Sequence, residues 1–74
     1  MFGLGKRRTK LGRWLDKNEV EQEWLVRKAG IGRSTVGDLA NNPDRLPTTR
    51  TIQKILKALR EIDPNVKSND FWDM

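Results

Sequence analysis

Apolar residues recur along this chain at helical intervals. Leu11, Trp14 and Leu15 stand at i, i+3 and i+4 with Lys10, Arg13 and Lys17 on the other faces, which predicts an amphipathic helix over 10–17. Thr9 is placed to cap its start, and Asn18, tolerant of left-handed backbone, to close it. A second helix is expected from Glu19 or Glu21 to Ala29, with Leu25 and Ala29 facing inward beside Val20 and Trp24. Glu19, Glu21 and Glu23 gather near its start and Arg27 and Lys28 at its end, the arrangement the helix dipole favours, and Gly30 supplies the stop.

A third helix is expected over Arg33–Asn41, its buried stripe made of Val36, Leu39 and Ala40 behind Gly32, a weaker N-cap than Ser or Thr. Asn41-Asn42-Pro43-Asp44 should end it in a turn, followed by a short loop closed by Pro47. The strongest periodicity comes next: Ile52, Ile55, Leu56, Leu59 and Ile62, capped by Thr48 or Thr49 and broken by Asp63-Pro64. The tail from Ser68 can add one more helical turn, with Ser68 as its cap. No segment alternates with the period of a strand. The expected architecture is therefore all-α, a compact bundle of four or five helices forming one domain over residues 1–74. Residues 1–8 would be a basic arm and 63–74 a short C-terminal tail.

The 74 residues suffice for one modest core. They include no Cys and no His, which excludes disulfides, a thiolate zinc site and a cysteine nucleophile, and removes the commonest acid–base group and metal ligand. No enzyme activity, cofactor or metal is expected. No apolar run approaches a membrane span and the start lacks a secretory h-region, so a cytoplasmic protein is expected.

The formal charge is +5 and it is segregated. Residues 1–17 hold six Lys or Arg against one acid, and residues 33–60 hold six against two, whereas residues 61–74 hold four acids and one Lys. Two basic blocks ahead of an acidic tail suit a polyanionic partner, nucleic acid before membrane. The three Trp are too far apart in sequence to suggest a stacking platform for single strands.

Gln22-x-x-Leu25, Gly30-Ile31, Ser34-Thr35-Val36, Leu39-x-Asn41, Pro47, Ile52-x-x-Ile55 and Ala58-Leu59 recur here in one consistent spacing. This pattern, over roughly residues 8 to 62, resembles the phage repressor and Cro (XRE-type) helix-turn-helix family. The resemblance implies a lambda-repressor-like DNA-binding fold, with the helix over 33–41 laid into the major groove of double-stranded DNA. It matches Arg33 and Ser34 to the first base-reading positions, Thr35 to a base or phosphate contact, and Asp38 to a further reader one turn on. Gln22 and Asn41 match phosphate-contacting positions at the start of the second helix and the exit of the third. Two positions depart from the family. Ala40-Asn41-Asn42 stands where Glu-Asn-Gly is common, so Asn42 would have to take the turn conformation glycine usually supplies, and Gly37 sits within the third helix at a cost of about 1 kcal/mol against Ala.

Elementary chemistry agrees with several of these roles. An arginine at the start of a recognition helix can bond O6 and N7 of one guanine bidentately; the alternatives for Arg33 are a phosphate contact or a surface role. Ser34 and Thr35 can bond bases or simply cap the helix start. Asp38 can only accept, from cytosine N4 for example. Lys6, Arg7, Arg8, Lys10 and Arg13 can neutralise phosphates. The glycine-bearing arm Gly3 to Arg8 can reach a minor groove, though the expected reading is a disordered arm that only adds non-specific charge. Arg45, Thr48, Thr49 and Arg50 stand where backbone contacts would be made. Lys54 and Lys57 read as solvent-face charges.

Phe71, Trp72 and Met74 leave two readings open: a tail folded back on the core, or part of a dimer contact with Asp70 and Asp73 outside it. A homodimer is expected, because one small module makes few base contacts and two half-sites about 34 Å apart multiply specificity. The function expected is a sequence-specific transcriptional regulator, a repressor of the phage or mobile-element type. Two other readings stand beside it. One is a protein-interaction module such as an antitoxin or anti-repressor, meeting a protein antagonist through Trp24 or the Phe71-Trp72 tail. The other is a nucleoid-type binder with little sequence preference.

Overall fold

The computed structural model describes residues 8–42 and 44–72. Most of the basic arm, including Lys6 and Arg7, together with Pro43, Asp73 and Met74, lies outside the described residues. The elements are α1 (Lys10–Lys17), α2 (Gln22–Ala29), α3 (Arg33–Asn41), α4 (Thr49–Leu59) and a 3₁₀ turn at Ser68–Asp70. No strand occurs among the described residues. The all-α expectation holds, and the bounds of α1 and α3 fall where the sequence pattern put them.

The caps explain most of the boundaries. The Thr9 hydroxyl oxygen accepts from Gly12 N–H at 3.0 Å and starts α1. Thr48 does the same for α4, accepting from Thr51 N–H at 3.2 Å. Gly30 ends α2 at φ 67°, ψ 39°, the left-handed region that side chains other than glycine's disfavour.

Three closures differ from expectation. Asn18 is not left-handed (φ −94°, ψ 6°), and the positive φ belongs to Glu19 at 57°. Glu19 N–H donates to Asp16 O at 3.1 Å and Val20 N–H to Leu15 O at 2.8 Å. These are the paired bonds of a Schellman closure, so the left-handed position is the residue after Asn18. Asn42 is extended at φ −113°, ψ 102°, and needs no glycine-like conformation. Helix α4 stops at Leu59, not Ile62. The N–H groups of Ile62 and Asp63 both turn back to Leu59 O, each at 2.9 Å. Asp63 precedes Pro64, a position from which helical backbone is disfavoured, and the chain leaves the helix ahead of it. Ile62, expected on the apolar stripe, is 42% exposed in consequence.

One core joins the four α-helices. Leu11 and Leu15 of α1, Leu25 and Ala29 of α2, and Val36, Leu39 and Ala40 of α3 meet Ile52, Ile55, Leu56, Ala58 and Leu59 of α4. No polar or charged residue is buried among the described residues. Helix α3 packs against both α1 and α2, and α2 also packs on α4. The tail folds back. Val66, Phe71 and Trp72 are buried, and the Phe71 and Trp14 rings meet nearly perpendicular with centroids 6.4 Å apart. This settles the two readings of the tail in favour of the core. The 3₁₀ turn starts from Lys67 rather than Ser68: Lys67 N–H donates to the Asp70 carboxylate at 2.8 Å. Trp14, Val20, Trp24, Val26 and Ile31 pack around the rim of this core, partly buried.

Candidate nucleic-acid interface

Helix α3 separates its residues by face. Val36, Leu39 and Ala40 point into the core, while Arg33, Ser34, Asp38 and Asn41 are exposed and Thr35 and Gly37 half-buried. Two tight closures bring α2 and α3 together at this surface: the left-handed Gly30 and the two-residue link of Ile31 and Gly32. The Gln22 amide oxygen lies over Gly37, 3.9 Å from where a β-carbon at position 37 would sit. The start of α2 and the middle of α3 are thus neighbours. No side-chain oxygen caps either α2 or α3; Trp24 N–H turns back to Glu21 O at 3.0 Å, and the other N–H groups of the two first turns have no side-chain acceptor.

The charged side chains on this surface are paired. Arg33, at the first position of α3, bonds Glu23 of α2 through Nε and Nη2 together, with Nε 3.1 Å from Oε2 and Nη2 2.7 Å from the same oxygen. The closest approach in the pair is between Nη2 and Oε1. Arg33 remains 79% exposed at its side chain. The guanidinium holds the Glu23 carboxyl below the usual carboxylate range, through its hydrogen bonds first and its charge second, while solvation loss opposes it. The same bonds raise Arg33 further. One turn on, Asp38 Oδ2 accepts from Arg45 Nη1 at 2.8 Å, tying the α3 face to the loop that follows it.

Arg8 and Asn41 meet at the far end of α3. Arg8 Nη1 donates to Asn41 Oδ1 at 2.6 Å, Nε and Nη2 donate to the Asp16 carboxylate at 3.0 and 2.9 Å, and Nη2 also reaches Gly12 O at 3.2 Å. Asn41 Nδ2 donates to Gly37 O at 3.0 Å. Every nitrogen of the Arg8 guanidinium is thereby engaged within the protein. Thr48 spends its oxygen on the α4 cap and donates its hydrogen to Thr51 Oγ1 at 3.0 Å. Lys10 at the start of α1 and Arg50 in the first turn of α4 are exposed, and neither enters an ion pair among the described residues.

The structure therefore gathers Gln22, Arg33, Ser34, Thr35 and Asp38 around the α2–α3 junction and its open face. Arg8 and Asn41 lie together behind it, and Thr48 and Arg50 belong to the start of α4. Glu23 was absent from the set expected at this surface. Its sequence signal was an acid in the first turn of one short helix and a base in the first turn of the next, which dipole complementarity also accounts for.

A family model described as helix-turn-helix matches residues 19–66, more than half of the chain. Searches of curated proteins and of solved structures found no match. The matched segment spans α2, α3 and α4, and so contains the junction that carries the paired charges.

Proposed function

The chain belongs to the helix-turn-helix family of the XRE type, DNA-binding regulators, and we propose that it is a sequence-specific repressor of the phage or mobile-element kind, acting as a homodimer. One observation carries this reading: α3 buries Val36, Leu39 and Ala40 and turns a row of hydrogen-bonding side chains, Arg33, Ser34 and Asp38, outward. With that row in the major groove, Arg33, Ser34, Thr35 and Asp38 read base edges. Gln22 and the uncapped first turn of α2 meet a phosphate, where backbone N–H groups and the helix dipole favour an anion.

Of the cations expected at phosphates, Lys10 and Arg50 enter no ion pair among the described residues and neutralise phosphates. Arg45 joins them by exchanging the Asp38 carboxylate for a phosphate oxygen, while Arg8, bonded at all three nitrogens, and Asn41 act mainly in seating α1 on α3. Thr48 contributes through the α4 cap. Sequence preference comes from the first group and salt-dependent affinity from the second.

The rival reading, a module that binds protein through Trp24 or the Phe71-Trp72 tail, loses the tail as a surface because Phe71 and Trp72 are buried, and keeps only the half-buried Trp24 at the rim of the core. The test is selection of binding sites from a randomised duplex library at near-physiological salt, with Arg33→Ala run beside the wild type. An enriched inverted repeat whose preference is degraded at one base pair in each half-site by Arg33→Ala is the expected result. Retained DNA without a consensus would replace this reading with a non-specific binder. No retained DNA would end it.

A further inference from the structure

We propose that Glu23 is a positioning residue for base recognition: it grips one edge of the Arg33 guanidinium so that the opposite edge is presented, pre-aimed, to a guanine. This rests on the regulator reading above and names how its strongest reader is made selective.

The argument begins with the donor inventory of arginine. The guanidinium has five N–H donors in a fixed plane, arranged as a side fork of Nε–H with one Nη2–H and an end fork of Nη1–H with the other Nη2–H. Glu23 occupies the side fork: both Nε and Nη2 donate to its carboxylate, and Nη1 does not. The end fork therefore stays open, and it is the fork that matches guanine O6 and N7. A long side chain on an exposed helix start ordinarily samples many rotamers, losing entropy when a base selects one. Here two charge-assisted bonds from a neighbouring helix fix the plane before DNA arrives. Because α2 and α3 are locked to each other through Gly30 and a shared core, the anchor does not drift relative to the reader.

The pair also decides which DNA group Arg33 prefers. A free guanidinium near a duplex is drawn to any phosphate, whatever the sequence. One already satisfied by a carboxylate carries little net charge and gains little from a phosphate, while its open donors still fit a guanine edge. The carboxylate stays charged throughout the neutral range, since its pKa is held below the usual value. Before DNA arrives, Asp38 with Arg45 repeats the pattern one turn along α3, so the reading face of the free protein is neutralised locally in a chain of net charge +5. Specificity on α3 is separated from the bulk charge carried elsewhere.

The experiment compares wild type, Glu23→Gln, Arg33→Ala and the double variant by site selection, followed by binding to the selected duplex and to a random duplex across a salt series. The pair is on the surface, so the variants keep the fold, and thermal melts verify this. Glu23→Gln is expected to lower preference at the Arg33 base pair by about tenfold, leaving other positions unchanged. It should also steepen the salt dependence on random duplex by about one unit of slope. In the Arg33→Ala background, Glu23→Gln should leave base preference unaltered. An unchanged preference at that base pair in Glu23→Gln, with a wild-type consensus present, overturns the positioning role and leaves the regulator reading standing. A uniform loss across all positions overturns it as well, since that is a general effect of charge or fold. Failure of the wild type to enrich any site removes the regulator reading and this inference together.

Discussion

Gly12 of α1 lies directly against the Ala40 carbonyl of α3: a β-carbon built at position 12 would overlap that oxygen and sit 3.2 Å from its carbon. The approach serves a purpose. Thr9 N–H donates to Ala40 O at 3.0 Å and the Thr9 hydroxyl to Leu39 O at 2.7 Å, so the start of α1 satisfies carbonyls left open at the end of α3. Gly12→Ala forces backbone away from backbone, which no rotamer can relieve. Its expected effect is a loss of about 3 kcal/mol, a fall of roughly 10–20 °C in the thermal midpoint, although Ala is the better helix former. A circular-dichroism melt measures it, and an unchanged midpoint would show that α1 is not seated on α3 in this way.

Gly37 gives the opposite sign. It is also helical, but a β-carbon there meets only the Gln22 amide oxygen, at an ordinary 3.9 Å. Gly37→Ala should therefore stabilise the fold by about 1 kcal/mol, raising the midpoint by roughly 4–8 °C. Binding to the selected duplex should weaken in the same variant, because the added methyl stands on the face of α3 beside the proposed phosphate contact. A stabilised protein with unaltered affinity would place the DNA backbone away from Gly37.

The tail is part of the core, and its loss is costly. Trp72 and Phe71 are 7% and 8% exposed, their rings lie edge to face at 5.6 Å, and Phe71 meets Trp14 in turn. Trp72→Ala or Phe71→Ala should cost about 3–5 kcal/mol, a large share of the 5–15 kcal/mol typical of small domains. Urea unfolding followed by tryptophan fluorescence reads this directly. A loss under about 1 kcal/mol would mean that the tail is only loosely laid on the surface.

How legible the fold was depended on the range of each interaction. Helix positions followed from local pattern and caps, because Thr9, Gly30 and Thr48 act on the turns beside them. The errors were local competitions with close alternatives. Asn18 and Glu19 are adjacent, and the Schellman closure put the left-handed residue on the one with the poorer intrinsic tolerance. Ile62 continued the apolar period of α4, yet Pro64 ahead of it set the helix end. Contacts between distant residues left little trace. Arg8 and Asn41 are 33 residues apart, and Gly12 sits in a helical pattern that gives no hint of the carbonyl beside it. At the proposed interface the residue types on α3 could be read from sequence, but the pairing of Arg33 with Glu23 and of Asp38 with Arg45 could not. Each depends on how two elements are set across a turn.

That first pairing has a consequence in pH. Glu23 is held below the usual carboxylate value chiefly by its hydrogen bonds to Arg33. A carboxylate that stays charged longer in the folded protein than in the unfolded chain stabilises the fold above its unfolded pKa, and that contribution is lost as pH falls through the folded value. The chain has no His, so no side chain with an ordinary pKa titrates between about pH 5 and 8. Base preference should accordingly be flat across that range, and the Glu23–Arg33 bond should open only in acid. An NMR titration of the Glu23 side-chain carboxyl carbon tests this on the free protein: its midpoint should lie below 4.5 in the wild type and return toward 4.5 in Arg33→Ala. A wild-type midpoint at or above 4.5 would show that the guanidinium does not hold the carboxylate in solution, and the edge that Arg33 offers to DNA would no longer be fixed in advance.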